Sequence, residues 1–261
     1  MVINLLGIIN TNDKRYDYFV NNLKEEYIYS KNFKDFLDID TLILPLFGVD
    51  SFLFIKDTNI NLMDICTKNQ IKKIICGKKN EFLERFCCDE NIKLVSYLES
   101  DYYTWINSRL TAEGLIRKIM NDINDSLLSK KILILGYGYC GKALYKYLRE
   151  FCPSIDIYAR DYHDQKELYC NNISLNKLDN FNYDIIINTI DSNIIKKEDL
   201  VKFKKDSLIY DISSYPYGFE SEILDNKLLN VNIIPKIPTL FMPKEAGKVL
   251  YDWYIKEKLV S

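Results

Sequence analysis

Glycine and histidine are scarce in this chain of 261 residues, which contains nine glycines and one histidine, His163. Nine glycines are too few for a glycine-rich linker, so the position of each one is informative. A single histidine excludes metal sites built from several histidines, and we expect no metal. The chain also has no run of 18 or more apolar residues, so we expect no membrane-spanning helix.

Positive charge is not in excess, because 35 lysines and arginines face 37 aspartates and glutamates. Proteins that bind nucleic-acid backbones need a basic surplus, so we expect no nucleic-acid partner. The seven cysteines are odd in number and form no C-x-x-C pair, a pattern typical of reduced thiols in the cytoplasm. Residues 1–10 are apolar but lack a basic start, so they do not resemble a signal peptide.

The hydrophobic pattern predicts an α/β fold with two domains. Short apolar runs alternate with helical patterns over residues 1–105, and a second such series begins at Lys131. Alternating strands and helices are typical of parallel sheets covered on both faces. The chain is therefore predicted to form two doubly wound parallel-sheet domains, a flavodoxin-like N-terminal domain and a Rossmann NAD(P)-binding domain.

A helical pattern at residues 104–124 separates the two series and predicts a connector. Three prolines predict an irregular segment at residues 235–243, and the helical pattern at 244–258 is expected to return to the first domain. The predicted N-terminal domain comprises residues 1–105 with the C-terminal helix 243–261, and we expect it to serve the substrate or a partner. The connector and the Rossmann domain occupy residues 106–242.

A G-x-G-x-x-G pattern occupies residues 136–141, directly between a predicted strand and a predicted helix. This context distinguishes a dinucleotide-binding loop from a chance match. Gly136 allows the tight turn, Gly138 lets the backbone approach a pyrophosphate, and Gly141 lets the helix and strand pack closely. Together with Tyr139 and Cys140 they form the predicted cofactor-binding loop. The alternative is a tight turn without a ligand.

Arg160 lies at the end of the next predicted strand, 24 residues after Gly136. An acidic residue near this position binds the ribose 2′-hydroxyl of NAD, whereas an arginine accommodates the 2′-phosphate of NADP. Arg160 therefore favours NADP over NAD, and the adjacent Asp161 is the counter-evidence. His163 follows in the same stretch, where stacking on adenine and a solvated loop position both stay open.

Mostly polar segments end the predicted strands at 184–190 and 207–212. The candidates in them are Asn188, Thr189, Ile190, Asp211, Ser213 and Ser214. The carboxyl ends of strands face the ligand crevice in doubly wound folds, so we expect this group to border the nicotinamide. The two serines are assigned to the substrate and the other four residues to the cofactor. Strand-end capping and turn formation are the alternative.

Several segments resemble, in order along the chain, the motifs of one family, the A subunits of dipicolinate synthase. They are NSRLTAEG at 107–114, GYGYCG at 136–141 with YAR at 158–160, INTID at 187–191, DISSYPYG at 211–218 and IPTLFMPKEAG at 237–247. DKRY at 13–16 also resembles the D-x-R-x pattern that follows the family's first strand. The resemblance spans nearly the whole chain.

The resemblance implies an NADP-dependent protein that works with the flavoprotein-like B subunit of dipicolinate synthase. Such a pair converts 4-hydroxytetrahydrodipicolinate, a small dicarboxylate, to dipicolinate in the cytoplasm of the mother cell during sporulation. The ring loses water and then a hydride, and becomes an aromatic pyridine. Whether the chain also forms a homo-oligomer is left open by the sequence.

A dicarboxylate substrate needs cations and hydrogen-bond donors, and its dehydrogenation needs a group that moves protons. The candidates that follow from the resemblance are Arg15, Arg109 and Thr111 for substrate binding, with Ser213 and Ser214, and Asp13, Glu113 and Lys244 for catalysis. For each cation the alternative is a solvated surface charge. For Glu113 it is a cap or an ion pair within the helix.

The chain departs from the family's motifs at the pair Arg109-Leu110 and at Tyr217, Thr239 and Glu245, and Lys236 stands where a small residue is usual. The exact substrate is therefore open. Two other functions stay in view, which are another NAD(P)-dependent oxidoreductase of a small carboxylate and a nucleotide-binding partner protein without turnover.

Overall fold

The computed structural model describes residues 5–159 and 181–260. The chain divides into two compact units, a first unit of residues 1–107 with 243–261 and a second unit of residues 108–242. The predicted helix 162–169 lies outside the described residues, as do Arg160, Asp161, His163 and Cys170. Within the described ranges, no helix is long and apolar enough to cross a membrane.

The first unit contains one parallel five-stranded sheet. Its strands are β1 (Leu5–Ile9), β2 (Tyr27–Ser30), β3 (Ile39–Ile43), β4 (Lys73–Cys76) and β5 (Lys93–Ser96), and its first helices are α1 (Lys14–Val20), α2 (Leu62–Cys66) and α3 (Glu81–Asp89). The spatial order is β2-β1-β3-β4-β5. This is the flavodoxin-like order that the sequence predicted.

The central strands of this sheet, β1, β3 and β4, are largely apolar because both of their faces are covered. In β4, Ile74, Ile75 and Cys76 are all fully buried. A strand buried on both faces has a continuous apolar run instead of an alternating one. This explains why the strands could be located from short apolar runs alone.

The second unit begins within a long helix, α4 (Asp101–Asp122), of which residues 108–122 belong to it. Its further elements are β6 (Lys131–Leu135), α5 (Tyr139–Leu148), β7 (Ser154–Tyr158), β8 (Ile185–Asn188), β9 (Leu208–Asp211), α6 (Ser221–Asp225), β10 (Val231–Ile233) and α7 (Ile237–Phe241). All five strands are parallel, in the order β10-β9-β8-β6-β7. The order reverses between β6 and β8, where such sheets bind ligands. The predicted fold class of two doubly wound domains is confirmed.

The structure corrects several predicted boundaries. The segment predicted as irregular contains α7, because Pro238 lies in the first turn of that helix, where a backbone N–H is not needed. The sequence pattern predicts a helix over about 16–26, whereas α1 begins at Lys14 and ends at Val20. The short helices α2 and α6 were not predicted, since five residues are too few for a helical period to be visible.

The C-terminal helix α8 (Pro243–Val260) belongs to the first unit and packs along α1. A Cβ added to Gly247 would lie 2.5 Å from Tyr18 Cβ and 2.6 Å from the Arg15 carbonyl oxygen. The Phe19 ring meets the Tyr254 ring edge-to-face, with centroids 5.6 Å apart. Gly247 therefore lets the two helices approach more closely than any other residue would allow.

Candidate dinucleotide-binding site

Three strands of the second unit end side by side. Leu135 of β6 is the register partner of Asn188 in β8, and Asn188 is the register partner of Asp211 in β9. Adjacent strands lie about 4.8 Å apart, so the residues that follow these three positions share one edge of the sheet. The cofactor residues predicted from strand ends are therefore brought together with the glycine loop.

Two of the loop glycines are required by the packing of the loop itself. Gly136 has φ +103°, and a Cβ there would lie 2.2 Å from Thr189 Oγ1. The Thr189 hydroxyl in turn donates to the Leu135 carbonyl over 2.9 Å. A Cβ on Gly141 would lie 2.1 Å from the Gly136 carbonyl oxygen. These two glycines let β6, α5 and the end of β8 pack together.

Gly138 differs from the other two glycines. No described atom beyond its chain neighbours lies within 4 Å of the position that its Cβ would occupy. It is the N-cap of α5, with φ −75°, and it supplies no side-chain cap. The first N–H groups of a helix have no partner within the helix and bind anions well. The residues present therefore fit a pyrophosphate approaching the backbone at Gly138.

Cys140 and Thr111 meet behind this loop. Burial raises the pKa of the Cys140 thiol to about 11, and a hydrogen bond with the Thr111 side chain opposes this shift. The thiol is therefore uncharged at neutral pH and does not repel an anion. Thr111, predicted to bind substrate, is itself buried on α4 and contacts the phosphate loop.

A buried polar network lies next to the loop, at the ends of β8 and β9. Asp211 Oδ1 accepts hydrogen bonds from Ser213 N over 2.9 Å and Ser213 Oγ over 2.6 Å, while Asp211 Oδ2 accepts from Gly218 N over 2.8 Å. Asn188 Nδ2 donates to the Ile190 carbonyl over 2.9 Å and to Ser213 Oγ over 3.3 Å. Asn188 and Asp211 are fully buried, so their first role is to hold the surrounding backbone.

The other predicted residues of the second unit lie on or near the helices. Glu113 is exposed on α4, and its carboxylate has no hydrogen-bond or ion-pair partner among the described residues. Arg109 Nε donates to Tyr147 Oη over 2.7 Å, and its guanidinium lies over the same ring. Tyr139 is exposed at the start of α5. The Ser214 carbonyl accepts from Tyr217 N over 2.9 Å.

Three predicted residues belong to the first unit. Asp13 Oδ1 caps α1 by accepting from Arg15 N over 2.9 Å. Arg15 is buried, and its Nη1 donates to Tyr103 Oη over 2.8 Å. Burial raises the pKa of Tyr103, so this phenol stays neutral. Lys244 is exposed in the first turn of α8.

Sequence reasoning matched Gly218 to the motif at 211–218 without giving it a contact, and it missed Tyr103. A Cβ on Gly218 would lie 2.2 Å from Asn188 Nδ2, so this glycine is needed for the polar network. Tyr103 lies 88 positions from Arg15, and no local pattern links the two.

The two parallel sheets define a class by fold, the two-domain α/β fold that solved dehydrogenase structures share. The structure of D-lactate dehydrogenase from Escherichia coli matches it with a TM-score of 0.68 at 12% identity, covering 98% of this chain and 96% of that one. At this identity the match shows the fold.

Within that class the chain resembles the A subunit of dipicolinate synthase. It is 25% identical to the Bacillus subtilis (strain 168) protein of that name over 226 residues, which are 82% of this chain and 76% of the relative. The crystal structure of the dipicolinate synthase A subunit from Bacillus halodurans matches with a TM-score of 0.81 at 18% identity, covering 98% of each chain. No family model matches the chain. The resemblance inferred from the motifs is confirmed.

Proposed function

We propose that this chain is an NADP-dependent dehydrogenase of the dipicolinate synthase type, acting on 4-hydroxytetrahydrodipicolinate. The observation that supports it best is the open space at Gly138, where the fold of the chain itself gives no reason for a glycine. The sequence similarity to the A subunit of dipicolinate synthase supports the substrate class.

The loop residues hold the dinucleotide in this proposal. The first N–H groups of α5 bind the pyrophosphate, and the Cys140 thiol does not repel this anion because it is uncharged. Thr189 and Ile190 follow β8 and lie against Gly136, where they border the bound group. A nicotinamide dinucleotide held by these residues would supply the acceptor for a hydride from the substrate.

Loss of a hydride and of water from the substrate ring requires a group that exchanges protons with it. Glu113 is the strongest of the three predicted candidates, since its carboxylate is exposed and Asp13 Oδ1 is already used as a helix cap. The proposed contacts of the dicarboxylate remain Arg15, Arg109, Ser213 and Ser214. Lys244 remains a proposed catalytic residue. Arginine suits this role because its planar fork matches a carboxylate.

The chain is further proposed to act with a second protein in the cytoplasm of the mother cell. The name of the Bacillus subtilis relative designates it as one kind of subunit, which supports a partner of another kind. The proposed partner is the flavoprotein-like B subunit of dipicolinate synthase. The first unit, with its flavodoxin-like sheet, is the proposed domain for substrate or partner.

Titration with NADPH and NADH, followed by turnover assays with and without the B subunit, tests this proposal. We expect tighter binding of NADPH, and formation of dipicolinate from 4-hydroxytetrahydrodipicolinate. The variant Arg160→Asp should weaken NADPH binding about tenfold or more and leave NADH binding nearly unchanged, because charge-assisted contacts contribute about 1.5–3 kcal/mol. Equal loss for both cofactors would show that Arg160 does not contact the 2′-phosphate.

A second function, a dehydrogenase of a 2-hydroxy acid, is favoured by one specific observation. Structures named D-lactate dehydrogenase and phosphoglycerate oxidoreductase share the fold over 98% of this chain. Oxidation of D-lactate or 3-phosphoglycerate by the chain alone, with no pyridine product in the presence of the B subunit, would replace the first proposal with this one.

A further inference from the structure

The Asp211 carboxylate joins the two ends of a short segment, residues 213–218. One of its oxygens holds Ser213 and the other holds the Gly218 N–H, all within 2.9 Å. Asn188 closes the other side, because its amide group fills the space where a Gly218 side chain would be. The Gly218 carbonyl in turn accepts from Ile194 N and Ile195 N, both over 2.9 Å. The segment is therefore fixed at both ends.

Tyr217 lies within this fixed segment and has an unfavourable backbone conformation, with φ +70°. The left-handed region suits glycine and is tolerated by asparagine and aspartate, but a bulky side chain adopts it only under constraint. Eight described residues other than glycine have positive φ, and Tyr217 is the one aromatic residue among them. The chain thus retains a large ring where glycine would be easier to accommodate.

Core packing does not account for this ring. Tyr217 is half-buried, and the ring it meets edge-to-face at 5.8 Å belongs to Tyr215, which is 81% exposed. A pair with so exposed a member buries little apolar surface. Strained conformations that persist in a well-fixed segment cluster at functional sites.

We propose that Tyr217 is a specificity-determining residue whose ring contacts the ring of the substrate, and that Asp211 is the residue that positions it. The segment follows β9, one strand from β8 and two from the phosphate loop, so it borders the place where a nicotinamide would lie. Aromatic side chains bind planar rings by stacking and edge-to-face contact. This inference rests on the proposed function.

Three variants of the full chain, Tyr217→Gly, Tyr217→Phe and Asp211→Asn, test the proposal. The melting temperature, the Kd for NADPH by fluorescence and the Kd for dipicolinate by calorimetry at saturating NADPH are measured for each. Tyr217→Gly should raise the melting temperature by about 2–4 °C because it relieves the strain. It should leave the Kd for NADPH within about twofold and raise the Kd for dipicolinate about tenfold.

The other two variants distinguish a contact between the Tyr217 ring and the substrate from a purely structural role. Tyr217→Phe keeps the ring, so it should bind dipicolinate as the unmodified chain does. Asp211→Asn loses an acceptor for a buried N–H, so it should lower the melting temperature while raising the Kd for dipicolinate as Tyr217→Gly does. Two variants with opposite effects on stability and the same effect on dipicolinate would support the positioning role.

Each other outcome overturns the inference. If the unmodified chain binds NADPH and dipicolinate, and Tyr217→Gly binds both equally well, the inference is wrong while the proposed function stands. A lower melting temperature for Tyr217→Gly would show that the tyrosine is structural. If the unmodified chain binds neither NADPH nor NADH, the proposed function fails, and the inference fails with it.

Discussion

The two units share one strand order, but the helix that follows the first strand begins in opposite ways. In the first unit, α1 is capped by Asp13, whose carboxylate accepts the Arg15 N–H over 2.9 Å. In the second unit, α5 is capped by Gly138, which has no side chain. At the start of α1, the Asp13 carboxylate occupies the position that favours an anion. At the start of α5, that position has no side chain and can take an anion from a ligand.

This difference explains why one of two similar sheets is the proposed dinucleotide domain. Both sheets have the order in which ligands bind beyond the carboxyl ends of the strands. Beyond β6, the loop has glycine at positions 136, 138 and 141, and the Cβ position of Gly138 is open. Beyond β1, the residues around Asp13 are larger, and Tyr16 donates to the Leu44 carbonyl over 3.0 Å. The strand order allows a dinucleotide site in either unit, and the loop after the first strand determines which unit can form one.

The largest expected effect comes from giving the second unit the cap of the first. Gly138→Asp places a carboxylate where the pyrophosphate is proposed to bind, so dinucleotide affinity should fall about 100-fold, which is about 2.7 kcal/mol. The backbone at Gly138 is already extended and its Cβ position is open, so the free energy of unfolding should stay the same or rise by about 0.5 kcal/mol. Fluorescence titration and denaturant unfolding measure the two quantities.

Gly138→Asn is the matched control, since it has the same size and capping ability without the charge. It should bind the dinucleotide more tightly than Gly138→Asp and less tightly than the unmodified chain. If Gly138→Asp binds NADPH normally, the loop is not the site. If Gly138→Asp has a lower free energy of unfolding than the unmodified chain, the Cβ position of Gly138 is not open and the glycine serves packing.

An intermediate effect is expected in the first unit, where a glycine serves packing alone. Gly247→Ala introduces a Cβ 2.5 Å from Tyr18 Cβ, which should destabilise the unit by about 1–3 kcal/mol through overpacking. The Kd for NADPH should not change. Thermal unfolding checks the first expectation, and weaker NADPH binding by the folded variant would contradict the second.

The smallest effect should follow from removing the cap of α1. Asp13→Ala should lower the free energy of unfolding by about 1 kcal/mol, the usual cost of a lost N-cap. Dinucleotide affinity should again stay constant, because the proposed site lies beyond β6. A loss of NADPH binding in Asp13→Ala would show that the start of α1 also contributes to the dinucleotide site, contrary to this comparison.

Much of the fold could be predicted because its strands are buried on both faces. The runs 73–76 and 131–135 have the bounds of β4 and β6. The glycine loop was predictable as well, since its spacing and its context of strand and helix are local features. Helix α7 was not, because a proline normally argues against a helix and only its place in the first turn reverses that argument.

The polar network beside the loop could not be derived from the sequence. Asn188 and Gly218 are 30 positions apart, and their contact depends on the register between β8 and β9. The sequence also suggested cofactor contacts for Asn188 and Asp211, whereas the structure shows both fully buried and bonded to neighbouring backbone. A strand-end polar residue and a backbone anchor have the same sequence pattern, so the distinction required coordinates.

The packing of α8 on α1 has a consequence for the synthesis of the chain. Phe19 of α1 is fully buried and meets Tyr254 of α8, which the ribosome makes only after the whole second unit. Domains fold as units while the chain emerges. The second unit can therefore fold before the first is complete, and until then α1 presents an uncovered apolar face to chaperones.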